Sequence, residues 1–360
     1  MQYLAQRRPR VAVEVLDLDH YHPLIRALSN VLSTDLAQVT YAQLIDGLPM
    51  VGTAWDMRAY LLFKEHPLVT HDKLCEGAME RAQVFCGTFD PVMLQFDSLV
   101  CGNPPPPVNT ALDSDMRQVM QRYQDATPGS REFKMRLVEL VAAAIHQIAI
   151  LLFQSDDKLH SKEDIDDVVS WKKESEWVVF SPRHRVLQEY PDPRPTLFYH
   201  AAYVDYQQYP HGLADVAGYW AEDRIFGGVA VFDRGVSGTE CNDIYFHSGR
   251  QDTTFRVWRL LDSQFSELAE FLLSEQPCTP PFPIIASYAN KHRHDPWDAI
   301  ALHHIFRDPW EREVPPTKPD DGRDVRSAGD YPEVDDMFDA VQAAVDRAVD
   351  ESGEKGKSEE

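Results

Sequence analysis

Residues 213–262, LADVAGYWAEDRIFGGVAVFDRGVSGTECNDIYFHSGRQDTTFRVWRLLD, constrain the fold of this chain more than any other stretch. Apolar, β-branched and aromatic residues come in short runs there, separated by clusters of Gly, Asp, Asn and Ser. That is the pattern of antiparallel strands joined by turns, and it predicts strands over 216–221, 225–233, 243–248 and 253–260. A helix follows over 262–274, with Asp262 as N-cap and Phe265, Leu268, Ala269 and Leu272 turned inward. Gly227 and Gly228 sit inside a strand pattern, where paired glycines mark a bulge or a close backbone approach.

Upstream the pattern changes to helix. After VAVEVLDLD (residues 11–19), which alternates as a half-buried strand would, Leu24, Leu28, Val31 and Leu32 keep a 3.6-residue spacing. Residues 23–47 therefore read as helices, with Thr40 capping a short one that ends at Gly47. A third is expected over 53–65, and a fourth after Thr70. The prolines at 104–107 form a polyproline spacer. Ser130 then caps the strongest helix, REFKMRLVELVAAAIHQIAILLFQ, whose apolar stripe runs from Phe133 to Leu152. Glu139 and His146, seven residues apart, point the same way from it. Residues 155–170 are a charge run without the calcium-loop pattern, and so a solvated helix end. Residues 196–206 (TLFYHAAYVDY) return to β-rich composition.

The fold expected is α+β. A mainly helical region spans 1–180, and an antiparallel sheet region with packed helices spans 181–316. Residues 317–360 carry 14 acidic and 6 basic side chains, the composition of a disordered acidic tail. One island in that tail places Val334, Phe338, Val341 and Val345 on one helical face, which could dock on the body or on a partner.

Charge and cysteines narrow the function. With 58 acidic against 35 basic residues the net charge is −23, which disfavours nucleic acid and membrane surfaces as partners. The five cysteines are scattered and odd in number, giving neither a disulfide framework nor a thiolate zinc spacing. The N-terminus meets acidic residues before any apolar core, unlike a secretory signal, and the longest apolar run, 140–153, is too short for a membrane span. A cytoplasmic protein is expected. Phosphate-binding glycine loops, a nucleophile elbow, HExxH and kinase motifs are all missing from the sequence.

Two constellations of polar residues stand out. The first is His247 with Glu222 and Asp243, near Asp223, Arg224 and Arg250. If the strands pair as hairpins, an imidazole and two carboxylates meet, enough for acid–base chemistry or a divalent metal. The plainer reading is a pair of turn salt bridges, Glu222–Arg224 and Asp243–Arg250. The second is His20, His22, His292 and His294, two HxH pairs whose spacing on an extended backbone suits a metal. His66 and His71 read as turn and cap residues. Cys241, six residues before His247, reads as a small buried hydrophobe rather than a nucleophile.

The segments ADVAGYWAEDRIFGGVAVFDRG, IYFHSGRQDTTFRVWRLLD and IFRDPWERE resemble an uncharacterised protein family of filamentous fungi. The resemblance covers the C-terminal third. It implies an intracellular fungal protein and assigns no catalytic residue, cofactor or partner. Two functional classes follow from the residues. The leading one is a non-catalytic interaction or accessory protein with a protein or small-molecule partner. The alternative is a metal-assisted small-molecule enzyme of fungal specialised metabolism, with a divalent metal as its cofactor.

Overall fold

The computed structural model describes residues 10–11, 13, 16–57, 64–94, 96–97, 115–181, 184–308, 311–312, 314–318 and 330–357. Strand β1 (Arg10–Val11) pairs antiparallel with β2 (Phe96–Asp97). Helices α1 (Leu18–Leu32), α2 (Asp35–Asp46), α3 (Val51–Asp56), α4 (Ala78–Thr88), α5 (Asp115–Asp125), α6 (Arg131–Gln154) and α7 (Lys162–Ser170) follow. A hairpin, β3 (Glu176–Ser181) and β4 (His184–Gln188), leads to α8 (Leu213–Phe226), β5 (Val229–Asp233), β6 (Ile244–His247), β7 (Val257–Arg259) and α9 (Asp262–Leu273). The chain continues through β8 (Arg293–His294), α10 (Pro296–Ala301), β9 (Ile305–Phe306) and α11 (Pro332–Lys357). The fold is α+β, as expected.

Strands β5 to β9 make one antiparallel sheet in the order β8-β7-β6-β5-β9. Alternation along its strands sends side chains to two different cores. Ala230, Phe232, Ile244, Phe246 and Trp258 join the main cluster, which runs from Val13 to Ile284 and takes in α1, α2, α4, α6 and α9. Val229, Val231, Tyr245 and Val257 face a second cluster built from Tyr199, Tyr203, Tyr209, Ala299 and Ile305. Both faces are covered, so β5 reads as an unbroken apolar run. The main cluster draws on residues from both sides of position 180.

The strand expected over 216–221 is a helix. Residues 213–226 form α8, begun at Gly212 and ended by Gly227 in the left-handed conformation at φ 102°. Its Ala217, Trp220, Ala221 and Ile225 enter the main core, while Val216 and Tyr219 enter the second. A helix buried on all sides shows no amphipathic period. Gly227 and Gly228 are close-approach positions rather than a bulge. A Cβ on Gly227 would lie 2.1 Å from the Ile284 carbonyl oxygen, because the Ile284 N–H donates to Phe226 at the helix end.

Smaller differences have local causes. Thr34, not Thr40, caps α2, its hydroxyl accepting from the Ala37 N–H, and the helix ends at Gly47 as expected. Thr70 closes a 3-10 turn instead of opening a helix, and α4 begins after Gly77. Asp262 is the first residue of α9, whose N-cap is Leu261. Residues 196–206 are turns with an isolated bridge between His200 and Tyr203, not a strand. Ser130 caps α6 as expected, accepting from the Phe133 N–H. Among the described residues α6 is the helix long and apolar enough to cross a membrane, and 72% of that stretch is buried in the protein. The polyproline run and residues 58–63 of the expected third helix lie outside the described residues, and the first residues of that expected helix fall in α3.

Candidate functional site

The odd-numbered residues of β6 face the second core, and this parity places His247, the last residue of the strand, on that side of the sheet. There the chain leaves the sheet through Ser248 and Gly249, and a cavity of about 290 Å³ opens. His200, His247, Arg312 and Lys318 line it with Asp205 and Asp295, and Phe255 and Trp297 supply aromatic surface. Inward-turning loops, not strands, bring most of these groups together.

Hydrogen bonds fix the two histidines. The His247 Nδ1 lies 3.2 Å from the Tyr203 hydroxyl and 3.5 Å from Nη1 of Arg312. A guanidinium only donates, so Nδ1 is the acceptor and Nε2 carries the proton. His200 donates from Nε2 to the His247 carbonyl at 3.0 Å and accepts at Nδ1 from the Ala202 N–H at 3.1 Å. Arg312 is held by Glu311 at 3.3 Å, and its buried Nε has no acceptor among the described residues. Burial, then Glu311, pushes the Tyr203 hydroxyl well above its ordinary pKa, so it remains a donor.

The expected acid–base set does not assemble around His247. Glu222, fully buried on α8, accepts at both carboxylate oxygens from Nη1 of Arg307, accepts from the Ala230 N–H at 2.9 Å and has His146 Nδ1 3.8 Å away. Asp243 pairs with Arg131 at 3.1 Å and Arg259 at 3.3 Å on the surface. The turn salt bridges Glu222–Arg224 and Asp243–Arg250 are replaced as well. Arg224 and Arg250 both bind Asp56, and Arg250 also donates to the backbone of α8. Asp223 accepts from the Gly249 N–H at 3.3 Å beside the cavity. Burial outweighs the neighbouring Arg250 there and raises its carboxyl to about 6.

The Glu139–His146 pair resolves into two buried networks. Glu139 bonds to Arg136 at 2.8 Å and Arg234 at 2.7 Å. Burial works to raise its carboxyl, and the Arg234 and Arg136 guanidiniums overcome this and hold it below the usual range. His146 donates from Nε2 to Asp215 at 3.1 Å and accepts at Nδ1 from Arg307 at 3.3 Å. These pairs fasten the segment of Arg307 onto α6 and α8. They are a means of satisfying buried charge rather than an open site.

The four histidines of the two HxH pairs do not form a group. His20 bonds through Nδ1 to Asp17 and through Nε2 to the Ala126 carbonyl, while His22 is exposed. His294 packs against His303 with centroids 4.0 Å apart and the rings tilted by 39°, and His292 is exposed. Among the described residues the side chains that do converge with metal-ligand atoms are Asp46, His71 and His160. They come from three separate segments, which is why no spacing in the sequence signals them. His66 is a cap, as expected, its Nδ1 accepting from the Leu68 N–H. The buried thiol of Cys241 is pushed up to about 12 by burial, which leaves it protonated and a poor nucleophile.

No family model, no curated protein and no solved structure matches the chain.

Proposed function

We propose that the protein is a non-catalytic accessory protein that binds a small anionic molecule in the cavity at the end of β6. One observation carries this reading: the cavity's two histidines already have their lone pairs engaged. His200 uses both ring nitrogens on the backbone, and His247 accepts at Nδ1 from Tyr203 and Arg312. An imidazole so engaged is a donor and a wall, not a base or a ligand to a metal. Arg312 supports the sign of the ligand, because among the described residues its buried Nε–H lacks an acceptor, which a carboxylate or phosphate oxygen would supply. Phe255 and Trp297 would hold an apolar portion. The free thiols of Cys75, Cys86, Cys241 and Cys278 support a reducing compartment such as the cytoplasm. Membership of the fungal family stands as part of the same proposal.

The test is a thermal-shift and calorimetric screen of the full chain against small aromatic and aliphatic carboxylates and phosphate esters. A binder raises the thermal midpoint, and Ile300→Trp, which fills the cavity from its wall, removes that shift while leaving the unliganded midpoint near wild type. A screen without a stabilising anion, or a shift that persists in the filled variant, rejects the reading. Turnover of a bound compound would instead favour the enzyme.

A further inference from the structure

Asp46 is the last residue of α2, and its side chain is fully buried. Around it the chain is fixed by the backbone. The Leu159 and His160 N–H groups donate to the Ile45 and Asp46 carbonyls at 3.2 and 3.0 Å, satisfying acceptors that a helix end leaves open. The Cys75 N–H donates to Asp46 Oδ2 at 2.9 Å. The Val51 N–H donates to the His71 carbonyl at 2.8 Å. Three segments that share no motif thus present Asp46, His71 and His160 to one point, with Cys75 beside His160.

The side-chain atoms at that point are close but poorly bonded to one another. Asp46 Oδ1 lies 3.1 Å from His160 Nε2, and Asp46 Oδ2 lies 3.5 Å from His71 Nε2. Yet Asp46 Oδ1 and His71 Nε2 are both buried and, among the described residues, have no hydrogen bond of good geometry. The two imidazoles cross at 71° with centroids 5.1 Å apart, and the Cys75 Sγ lies 3.3 Å from His160 Nε2. The ligand atoms of Asp46, His71 and His160 all fall within 4.8 Å of one another. A tetrahedral ion with bonds of roughly 2.0–2.3 Å sets its ligands about 3.3–3.8 Å apart, close to this spacing. A buried carboxylate that reaches two imidazole nitrogens at 3.1 and 3.5 Å without a well-formed hydrogen bond on either pair is the arrangement a cation held by all three groups would satisfy.

We propose that Asp46, His71 and His160, with Cys75 as the fourth ligand, form a structural site for Zn²⁺ or a similar borderline-soft divalent metal. Two imidazoles, one carboxylate and one sulfur suit such an ion and not Ca²⁺ or Mg²⁺, which take oxygen ligands. Binding replaces the Cys75 S–H proton by a metal–sulfur bond, with the proton released to solvent. Four protein ligands leave no open position, as in sites that hold segments together. The ion would tie the end of α2 to the loop after the 3-10 turn at Pro67–Thr70 and to the turn after α6. The site stands apart from the anion-binding cavity, shares none of its lining residues, and does not rest on that reading.

The full chain, stripped with a chelator and dialysed, is titrated with ZnCl₂ and separately with CoCl₂. One equivalent of Zn²⁺ should bind and raise the thermal midpoint. Co²⁺ should give the ligand-field bands of a tetrahedral site together with a sulfur-to-metal charge-transfer band. Cys75→Ser, at a half-buried position, should abolish the charge-transfer band and weaken Zn²⁺ binding at least tenfold. His160→Gln should weaken binding about 100-fold or more and remove the thermal shift, and circular dichroism checks that each variant is folded. Failure of the chelated wild-type protein to bind an equivalent of Zn²⁺ at micromolar concentration overturns the proposal. So does unchanged stoichiometric binding in folded His160→Gln. A Co²⁺ spectrum with no charge-transfer band in the wild type overturns the assignment of Cys75 as a ligand.

Discussion

Asp223 shows how burial turns a single carboxyl into a pH-dependent liability. Its folded pKa is raised from 3.8 to about 6, by burial first and against the pull of Arg250. A carboxyl raised on folding binds its proton more tightly in the folded state. The protein therefore loses stability as pH rises from the unfolded pKa through the folded one, between about 4 and 6. A shift of that size corresponds to roughly 2–3 kcal/mol. Urea unfolding of wild type and Asp223→Asn at pH 4 and pH 7 should show wild type losing about that much relative to the variant. Parallel pH profiles would mean that Asp223 stays ionised throughout. At Gly227 the constraint is steric. With φ at 102° and the Ile284 oxygen 2.1 Å from where a methyl group would sit, Gly227→Ala should destabilise by more than about 2 kcal/mol. Gly238→Ala, at φ 75° with open space around it, should lose only about 1 kcal/mol. Equal denaturation midpoints for the two variants would contradict this. The glycine pair announces a close approach in the sequence; the partner, 57 positions downstream, leaves no local trace.

Elements are legible where one face meets water and the other meets the core. The amphipathic pattern of α9 and the cap of α6 fall where the sequence puts them, within a residue. Strands β5 and β6 lie inside the expected stretches 225–233 and 243–248. Helix α8 is hidden because its two sides face two cores, and aromatic content then imitates a strand. The tail differs in another way. Helix α11 contains the expected island, yet Phe338, Val341 and Val345 are exposed, and the docked part is its beginning. Buried Arg256 donates to the Asp330 carbonyl at 3.1 Å and to Glu333 at 2.8 Å, and it stacks over Tyr331. Deleting 340–360 should leave the thermal midpoint within about 1 °C. Deleting 330–360 removes these partners, leaving Arg256 its ion pair with Asp295 at 3.4 Å, and should lower stability by on the order of 1–2 kcal/mol, a few degrees in a chain of this size. Equal midpoints for the two truncations would mean that Arg256 finds other partners.

At the scale of the whole molecule, the α+β class and the change from helix to sheet can be read from composition and periodicity. The contacts that define the candidate sites cannot. His247 stands out because it ends a strand, but its partners Tyr203 and Arg312 come from loops 44 and 65 residues away. Asp46, His71 and His160 escape notice for the same reason, since spatial convergence across a helix bundle leaves no spacing in the chain. One such long-range pair also has a consequence for biosynthesis. Glu222 is buried on α8, and the guanidinium that neutralises it, Arg307, lies 85 residues further on. At about 5–20 residues per second, a ribosome needs roughly 4–17 s to make the intervening chain, plus the time for Arg307 to clear the exit tunnel. Throughout that interval the nascent protein holds its central helix without its counter-charge, so the final collapse of this core waits until the segment of Arg307 has emerged.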